Sequence, residues 1–288
     1  SQPGDTHAEL PSTLEDLATC HRHLAEYTEA AKLATEALHM AEVQHGRDAP
    51  SLWRYLNELG LIYLEQELPD EAQRVFLRAM ELAQKGTEKG HLTLSTLHNN
   101  LGLVYEAKGQ LQDAVLEYER SRRIAEQNVG TEHPDVCLSL HNLAGAYVGL
   151  GRYADAKPLL EQALAGWRKA HGSAHNNVAI CLYRLALVNQ QLGDDAQAEQ
   201  QLREALTISE QALGSEHPDF AQTIVAMGEH YRARRRYSEA RTHYERALAI
   251  LCRVEVSPRT IAVIQGRLAG CLVAEGRLAE AELILRDS

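Results

Sequence analysis

The sequence predicts an all-α solenoid of seven repeated helical pairs, and three observations support that prediction. A glycine or alanine recurs every 42 residues, with 41 between the last two copies, and an alanine always follows twelve positions later. Aromatic residues are only 5% of the 288, which favours close helix packing over a β-sandwich. The recurring small residues are Ala18, Gly60, Gly102, Ala144, Ala186, Gly228 and Ala269, and the alanines are Ala30, Ala72, Ala114, Ala156, Ala198, Ala240 and Ala281.

The first helix of each copy is built around the small residue. A leucine or methionine precedes that residue directly, and a tyrosine follows it by three positions in four copies. Together with apolar residues four positions earlier, these make the i, i+3, i+4, i+7 stripe of an amphipathic helix. The small residue on this stripe allows a neighbouring helix to approach closely. The turn that follows is predicted at Gly109, Gly151, Gly193 and Gly276.

The second helix carries the repeated alanine and, in most copies, an aromatic residue or leucine four positions later. We expect a glycine in a left-handed cap to end it, and a proline to open the next first helix, where its missing N–H costs nothing. Those glycines are Gly46, Gly130, Gly172 and Gly214, and the prolines are Pro50, Pro134 and Pro218. The predicted repeats form one domain after a flexible segment 1–11, and span about 12–50, 51–92, 93–134, 135–176, 177–218, 219–258 and 259–288.

Charge and composition exclude several classes of protein. The chain has 40 acidic and 29 basic residues and a net charge of −11, which argues against a general nucleic-acid binder. No apolar run approaches the roughly 18 residues that cross a bilayer, so membrane insertion is not predicted. The five cysteines are scattered and form no CxxC pair, which favours reduced thiols and a cytoplasmic location.

No group of residues predicts catalysis or a metal site. Four of the fourteen histidines recur at 42-residue spacing, so they belong to the connectors and do not converge on one point. There is no phosphate-binding glycine loop, and no nucleophile motif or carboxylate pair stands out. The sequence therefore predicts a protein that is not an enzyme and needs no cofactor or metal. The connector histidines are His91, His133, His175 and His217.

The repeated residues resemble the tetratricopeptide repeat, with its pattern of leucine, glycine or alanine, then tyrosine, alanine and a further aromatic residue. The usual period is 34 residues, and the eight added residues here fall in the second helix and the G-x-x-H-P connector at 130–134 and 214–218. A 42-residue repeat with this connector is similar to the kinesin light chain type. The resemblance covers about residues 12–288. It implies a right-handed α-α superhelix that binds a protein or peptide partner.

One face of each predicted first helix points away from the core stripe, at 100° per residue. In tetratricopeptide arrays this face lines the concave groove, so the resemblance implies a groove for an extended peptide. Asparagine is a poor mid-helix residue by several tenths of a kcal/mol, but its amide would pair with peptide N–H and C=O groups. Leucines there would anchor apolar side chains, and arginines would bind a carboxylate. The predicted groove residues are Arg54, Asn57, Leu61, Asn99, Asn100, Leu103, His141, Asn142, Tyr183, Arg184 and Leu187.

Several alternatives stay open. The asparagines would have a purely structural role if they bonded one another between copies. The apolar residues of the last helix favour a regulatory or sensor module of a larger signalling protein. A third alternative is a homotypic assembly scaffold whose acidic and basic ends attract each other. The basic run RARRR at 232–236 indicates either a site for an anionic partner or a solvated turn.

Overall fold

The computed structural model describes residues 10–86, 90–253 and 258–286. All regular structure in these residues is helical, and the helices follow one another in pairs. The first helices are α1 (Leu10–His23), α3 (Trp53–Glu65), α5 (Gly90–Ala107), α7 (Pro134–Gly149), α9 (Asn176–Gln191), α11 (Pro218–Ala233) and α13 (Pro258–Ala274). The second helices are α2 (Tyr27–His45), α4 (Pro69–Gln84), α6 (Leu111–Val129), α8 (Tyr153–His171), α10 (Asp195–Leu213), α12 (Tyr237–Leu251) and α14 (Leu278–Arg286).

The helix boundaries follow the local sequence. Pro134 and Pro218 are the first residues of α7 and α11, while Pro50 opens a single 3₁₀ turn that leads into α3. The predicted prolines therefore lie at helix starts, where a backbone N–H has no intrahelical acceptor.

The predicted flexible segment 1–11 lies largely outside the described residues, and α1 already begins at Leu10.

The chain forms two compact units, Ser1–Arg152 and Tyr153–Ser288, here called unit 1 and unit 2. Each contains a core in which the repeated alanines are fully buried between successive helices. In unit 1 the largest fully buried side chains are Phe76 and Tyr118, and in unit 2 they are Phe220 and Tyr244. A single repeat has too little apolar surface to fold alone, so this shared core stabilises the neighbouring repeats together.

The recurring glycines make room for these aromatic side chains. A Cβ atom added to Gly60 would lie 2.6 Å from Cε1 of Phe76, and one added to Gly102 would lie 2.6 Å from Cδ1 of Tyr118. Both distances are far shorter than real carbon–carbon contacts. The small residue predicted from the repeat thus allows an aromatic ring of the second helix to contact the backbone of the first.

The turn inside each repeat has one residue with positive φ. It is glycine at four repeats, as predicted, but the same turn holds Ala25, Glu67 and Arg235, each with a φ of 59°. For a residue with a Cβ this left-handed conformation costs roughly 1–2 kcal/mol. Three of the repeats therefore carry local strain that their neighbours avoid by using glycine.

The glycines that end the second helices differ from the prediction. Their φ is positive, yet ψ is 151° at Gly46, 164° at Gly130 and 160° at Gly214, far from the value near 47° of a left-handed cap. Essentially only glycine occupies this region. The N–H of Gly46 still donates to Glu42 at 2.9 Å, and its C=O accepts from the N–H of Ala49 at 3.2 Å in the turn that leads to the next first helix.

Arg235→Gly is expected to raise the free energy of unfolding by about 1 kcal/mol, because the φ of 59° is strained for arginine and free for glycine. Denaturant unfolding followed by circular dichroism measures it. Arg235→Ala is the matched control, since it removes the same guanidinium but keeps the Cβ. If both variants gained equally, loss of positive charge rather than relief of strain would be the cause.

Candidate functional site

The predicted groove residues are divided between the two units. Asn99, Asn100 and His141 are buried, at 6%, 5% and 5% exposure, rather than on an open face. Arg54 is exposed, and the other predicted residues are partly buried. Those in unit 1 are Arg54, Asn57, Leu61, Asn99, Asn100, Leu103, His141 and Asn142, and those in unit 2 are Tyr183, Arg184 and Leu187.

Four asparagines form a continuous amide network across α3, α5 and α7. Nδ2 of Asn100 donates to Oδ1 of Asn57 at 2.7 Å, and Nδ2 of Asn142 donates to Oδ1 of Asn99 at 3.0 Å. Nδ2 of Asn99 reaches Oδ1 of Asn100 at 3.5 Å and joins the two pairs. These bonds satisfy the buried amides and link three consecutive repeats, which is the structural role left open by the sequence.

Asn57 and Asn142 are the two ends of this network, and each uses only one of its two polar side-chain atoms in the network. Asn57 contributes its oxygen to the network, which leaves its Nδ2 donor, and Asn142 contributes its nitrogen, which leaves its Oδ1 acceptor. Both side chains are half-buried. The network therefore presents one donor and one acceptor in fixed positions, the two functions that a peptide backbone requires.

Arg54 is engaged by a neighbour in the preceding repeat. Its Nη2 lies 2.6 Å from Oε2 of Glu15, whose side chain is 13% exposed. Burial raises the pKa of the Glu15 carboxyl above its ordinary value, although the hydrogen bond from Arg54 acts in the opposite direction. The same hydrogen bond raises the pKa of Arg54. A ligand carboxylate at Arg54 would thus compete with an existing partner.

Apolar side chains flank the network in unit 1. Leu61 is half-buried and packs against the core of the unit, and Leu103 occupies the same position in α5. Leu138, one turn before the asparagine position in α7, remains 45% exposed. The face of α3, α5 and α7 therefore combines fixed amides with accessible aliphatic surface.

In unit 2 the corresponding face is organised by Glu229, which sequence reasoning did not single out. Its Oε1 accepts a hydrogen bond from the hydroxyl of Tyr244 at 2.5 Å and lies 3.1 Å from Nε of Arg267. Its Oε2 accepts from Nη2 of Arg232 at 2.7 Å. Burial, together with this carboxylate, raises the pKa of Tyr244. The sequence did contain one signal for this face of unit 2. Arg267 occupies the same repeat position as Arg184, which is one of the predicted groove residues.

The predicted residues of unit 2 lie on α9. Tyr183 packs against the core of unit 2, and burial raises the pKa of its hydroxyl above the ordinary value. Arg184 and Leu187 are partly buried on the same helix. The positive charge of Arg267 lowers the pKa of the Tyr183 hydroxyl, against the larger effect of burial. Side chains of α9 and α13 therefore interact electrostatically.

The RARRR run is engaged in ion pairs with neighbouring carboxylates. Arg232 pairs with Glu229, Arg234 with Asp195 in the preceding repeat, and Arg236 with Glu239 at 2.6 Å. These contacts neutralise much of the positive charge within the unit. They favour the interpretation of the run as a solvated turn over that of a site for an anionic partner.

The connector histidines begin helices. Nδ1 of His133, His175 and His217 accepts a hydrogen bond from the backbone N–H two residues later, at 3.1 to 3.3 Å. Each side chain thus caps the helix that follows it. The side chain of His91 lies outside the described residues. Across residues 10–86, 90–253 and 258–286, no group of three or more histidine, cysteine, aspartate or glutamate side chains is placed to hold a metal ion.

Family comparison agrees with this architecture. A tetratricopeptide repeat model matches residues 9–85, 54–127, 92–168, 135–211 and 190–253, which together cover most of the sequence. The chain belongs to the tetratricopeptide repeat family. The all-α repeat solenoid predicted from the sequence is thereby confirmed. No curated protein matches the chain.

Solved structures place this tetratricopeptide chain among kinesin light chain-like proteins. A kinesin light chain-type protein of Podosopora anserina with nearly identical repeats is 28% identical, with a TM-score of 0.60 over 70% of this chain and 95% of that one. BtubC (BKLC) from P. vanneervenii is 20% identical, with a TM-score of 0.64 over 83% and 94%. The signal-transduction ATPase PH0952 of Pyrococcus horikoshii, which has a tetratricopeptide sensor, is 17% identical, with a TM-score of 0.72 over 96% and 42%. The last two show the fold alone.

Tetratricopeptide arrays generally serve as non-catalytic interaction scaffolds, so the chain is a protein-interaction or regulatory repeat module. Within the described parts of the chain, no helix has the length and apolar character needed to span a membrane.

Proposed function

We propose that the chain binds an extended peptide segment of a partner protein on the first-helix face of unit 1, without catalysis. The observation that supports this most directly is the fixed amide pair at the ends of the asparagine network. The Nδ2 of Asn57 and the Oδ1 of Asn142 are left over when the network bonds are made. A peptide backbone offers the complementary C=O and N–H.

The network also supports the proposal energetically. Side chains that are already ordered lose little conformational entropy when a ligand arrives, so their hydrogen bonds contribute more to affinity. The buried bonds of Asn99 and Asn100 hold the outer amides in place. Leu61, Leu103 and the exposed Leu138 supply aliphatic contacts beside them. Pairing of the backbone with pockets for alternate side chains is a common mode of peptide recognition.

Asn57→Asp tests the proposal because it keeps the oxygen that accepts from Asn100 and replaces only the outward donor by an acceptor. We expect peptides selected by display on the parent chain to bind the variant at least about tenfold more weakly, as an acceptor then faces the peptide carbonyl. The measurement is fluorescence anisotropy with the selected peptides.

The matched control is Asn176→Asp, which makes the same change in charge at the first residue of α9 in unit 2. It should bind the selected peptides like the parent chain. If Asn57→Asp also bound them with unchanged affinity, or if display enriched no peptide, the asparagines would have a structural role alone and the proposal would be wrong.

The alternative function, a regulatory or sensor module of a larger signalling protein, is supported by a different observation. Leu278, Leu283 and Leu285 on α14 are 64%, 62% and 54% exposed, so this nine-residue helix offers apolar surface against which another protein segment would pack. A cytoplasmic location is part of the main proposal, and the five free cysteines support it because disulfides are rare in the cytosol.

Self-association is a further proposal and rests on charge. Residues 1–152 hold 23 acidic and 13 basic residues, whereas residues 153–288 hold 17 and 16. A head-to-tail contact based on this difference would weaken with salt. Sedimentation velocity at 20 mM and 500 mM salt is the test, and a monomer under both conditions would exclude it.

A further inference from the structure

A cavity of about 340 Å³ lies in unit 2 between the second helices α8 and α10. Its apolar wall includes the buried side chains of Leu164 on α8 and of Leu182 and Leu185 on α9. Glu161 and Gln200 also line the cavity and are exposed, so it opens to solvent. An apolar cavity of about 150 Å³ is enough to hold benzene, so this one has room for a small aromatic ring.

The repeat that contributes α9 lacks a tyrosine that recurs elsewhere. Four repeats carry tyrosine three positions after the small residue of the first helix, whereas the fifth repeat carries Asn189 there. A long helical side chain points back towards the residue four positions earlier. A tyrosine at position 189 would therefore lie over Leu185, which lines the cavity.

The fourth repeat shows where the hydroxyl of such a tyrosine binds. The hydroxyl of Tyr147 donates to Oε1 of Glu119 on the preceding second helix at 3.3 Å. The residue one period of 42 after Glu119 is Glu161, which lines the cavity. A hydroxyl in the cavity would therefore find a carboxylate acceptor at the repeat position that Tyr147 uses.

The sixth repeat shows what packs against the ring. The rings of Tyr231 and His243 are stacked, with their centroids 5.4 Å apart. The residue one period of 42 before His243 is Gln201, which is buried and also lines the cavity. Two independent neighbours of the recurring tyrosines thus have their counterparts in the cavity wall. The cavity corresponds to the space that a tyrosine ring fills in these repeats.

Asn189 is a poor substitute for the tyrosine in terms of stability. Its side chain is fully buried, and its Nδ2 donates to Oε1 of Gln201 at 2.9 Å. Its Oδ1 has no hydrogen-bond partner within the part of the chain that the structure describes. A buried acceptor without a partner destabilises the fold. This position therefore lacks both the ring and a fully bonded amide, which favours a binding role over a packing role.

The charges around the cavity favour a neutral ligand that donates a hydrogen bond. Nη2 of Arg168 lies 2.5 Å from Oε1 of Glu204, so the arginine of the lining is already paired. Glu161 lies outside that pair, and the remaining polar lining consists of glutamine amides. A carboxylate ligand would meet an unneutralised Glu161, whereas a hydroxyl would donate to it.

We propose that this cavity binds a phenol ring. The ring packs on Leu182 and Leu185, and its hydroxyl donates to the carboxylate of Glu161. A free small phenol and the tyrosine side chain of another molecule share this chemistry. The inference goes beyond the proposed function, because the site lies between second helices of unit 2 and recognises an aromatic ring rather than a peptide backbone.

The test is a fluorine NMR titration of the full chain with 4-fluorophenol and with fluorobenzene, which has the same ring without the hydroxyl. We expect 4-fluorophenol to bind with a Kd of about 1 mM or below and at least about fivefold more tightly than fluorobenzene, since only the phenol donates a hydrogen bond. Competition by N-acetyltyrosinamide distinguishes the two sources. If it binds at least as tightly as 4-fluorophenol, the natural ligand is a tyrosine side chain, and weaker binding indicates a free phenol.

Asn189→Tyr fills the cavity with the ring that other repeats carry at this position. It should weaken binding of 4-fluorophenol at least about tenfold, while the thermal midpoint followed by circular dichroism does not fall. Gln191→Tyr is the matched control, because it adds the same side chain at the exposed last residue of α9, outside the cavity lining. It should bind 4-fluorophenol like the parent chain.

Glu161→Ala tests the site without a change in the core, since Glu161 is exposed. It should weaken binding of 4-fluorophenol at least about fivefold and leave that of fluorobenzene unchanged. Glu216→Ala, which removes an exposed carboxylate paired with Arg253, is its control and should change neither. The inference is overturned if the parent chain binds both probes equally or neither, or if Glu161→Ala binds 4-fluorophenol like the parent. None of these results depends on the asparagines of unit 1, so the two proposals fail separately.

Discussion

Gly102→Ala is expected to lower the free energy of unfolding by about 2–3 kcal/mol, although alanine is the better helix former. The added Cβ would lie 2.6 Å from Cδ1 and 2.7 Å from Cζ of Tyr118, whose side chain is fully buried. Because the ring is fully buried and its hydroxyl donates to Glu106 at 2.6 Å, a shift of the ring would disturb the surrounding core and this hydrogen bond. Equilibrium unfolding in urea measures the loss.

The chain itself suggests the rescue of this variant. Gly60, Gly102 and Gly228 are each followed after sixteen residues by Phe or Tyr, whereas Ala144 and Ala186 are each followed by Leu. In unit 2, Ala186 and Leu202 both lie in the buried core. The double variant Gly102→Ala with Tyr118→Leu should therefore recover at least half of the lost stability.

A second glycine supplies the control for backbone effects. Gly266→Ala lies in α13, where no atom is within 4 Å of the added Cβ, so it should stabilise the chain by up to about 1 kcal/mol. If Gly102→Ala were equally stabilising, the close contact with Tyr118 would not limit this position.

The pairing of glycine with aromatic residues shows how much of the fold the sequence can predict. The period of 42 residues and the two helices follow from positions that recur in every copy, and the turn follows from a position at which four of the seven copies carry glycine. The strained turns at Glu67 and Arg235 break the glycine pattern, so only the structure reveals that they share its conformation. The prediction of a left-handed cap at Gly46 was wrong for a similar reason. A glycine at this position indicates a positive φ, but it does not determine ψ.

The candidate site was less predictable, because two roles require the same residues. An asparagine that binds a ligand and one that bonds its neighbour both lie on the same helix face. Asn57 and Asn100 are 43 residues apart, as are Asn99 and Asn142, one more than the period. That spacing indicates neighbouring copies but not the direction of each amide. Likewise, the sequence gives no reason to separate Glu229 from other surface carboxylates. Only the folded structure shows that Arg232 and Arg267 both contact it.

Asn100→Asp and Asn57→Asp make the same chemical change at the two ends of one hydrogen bond, and we expect opposite results. Asn100 is 5% exposed and donates to Asn57, so the variant loses the donor and sets two oxygens against each other. It should lose about 2–3 kcal/mol at pH 7. Asn57→Asp keeps the acceptor and gains a charge-assisted bond, so its stability should change by less than about 1 kcal/mol.

The pH dependence of Asn100→Asp follows from the same geometry. Burial and the facing oxygen raise the pKa of the introduced carboxyl in the folded state above its unfolded value near 3.9. The folded state then binds the proton more tightly than the unfolded state, so the destabilisation shrinks as the pH falls from 7 towards 4. The protonated carboxyl can also donate to Asn57. Urea unfolding of both variants and the parent chain at pH 7 and pH 5 measures this, and a pH-independent loss at residue 100 would contradict a carboxyl that is buried against the oxygen of Asn57.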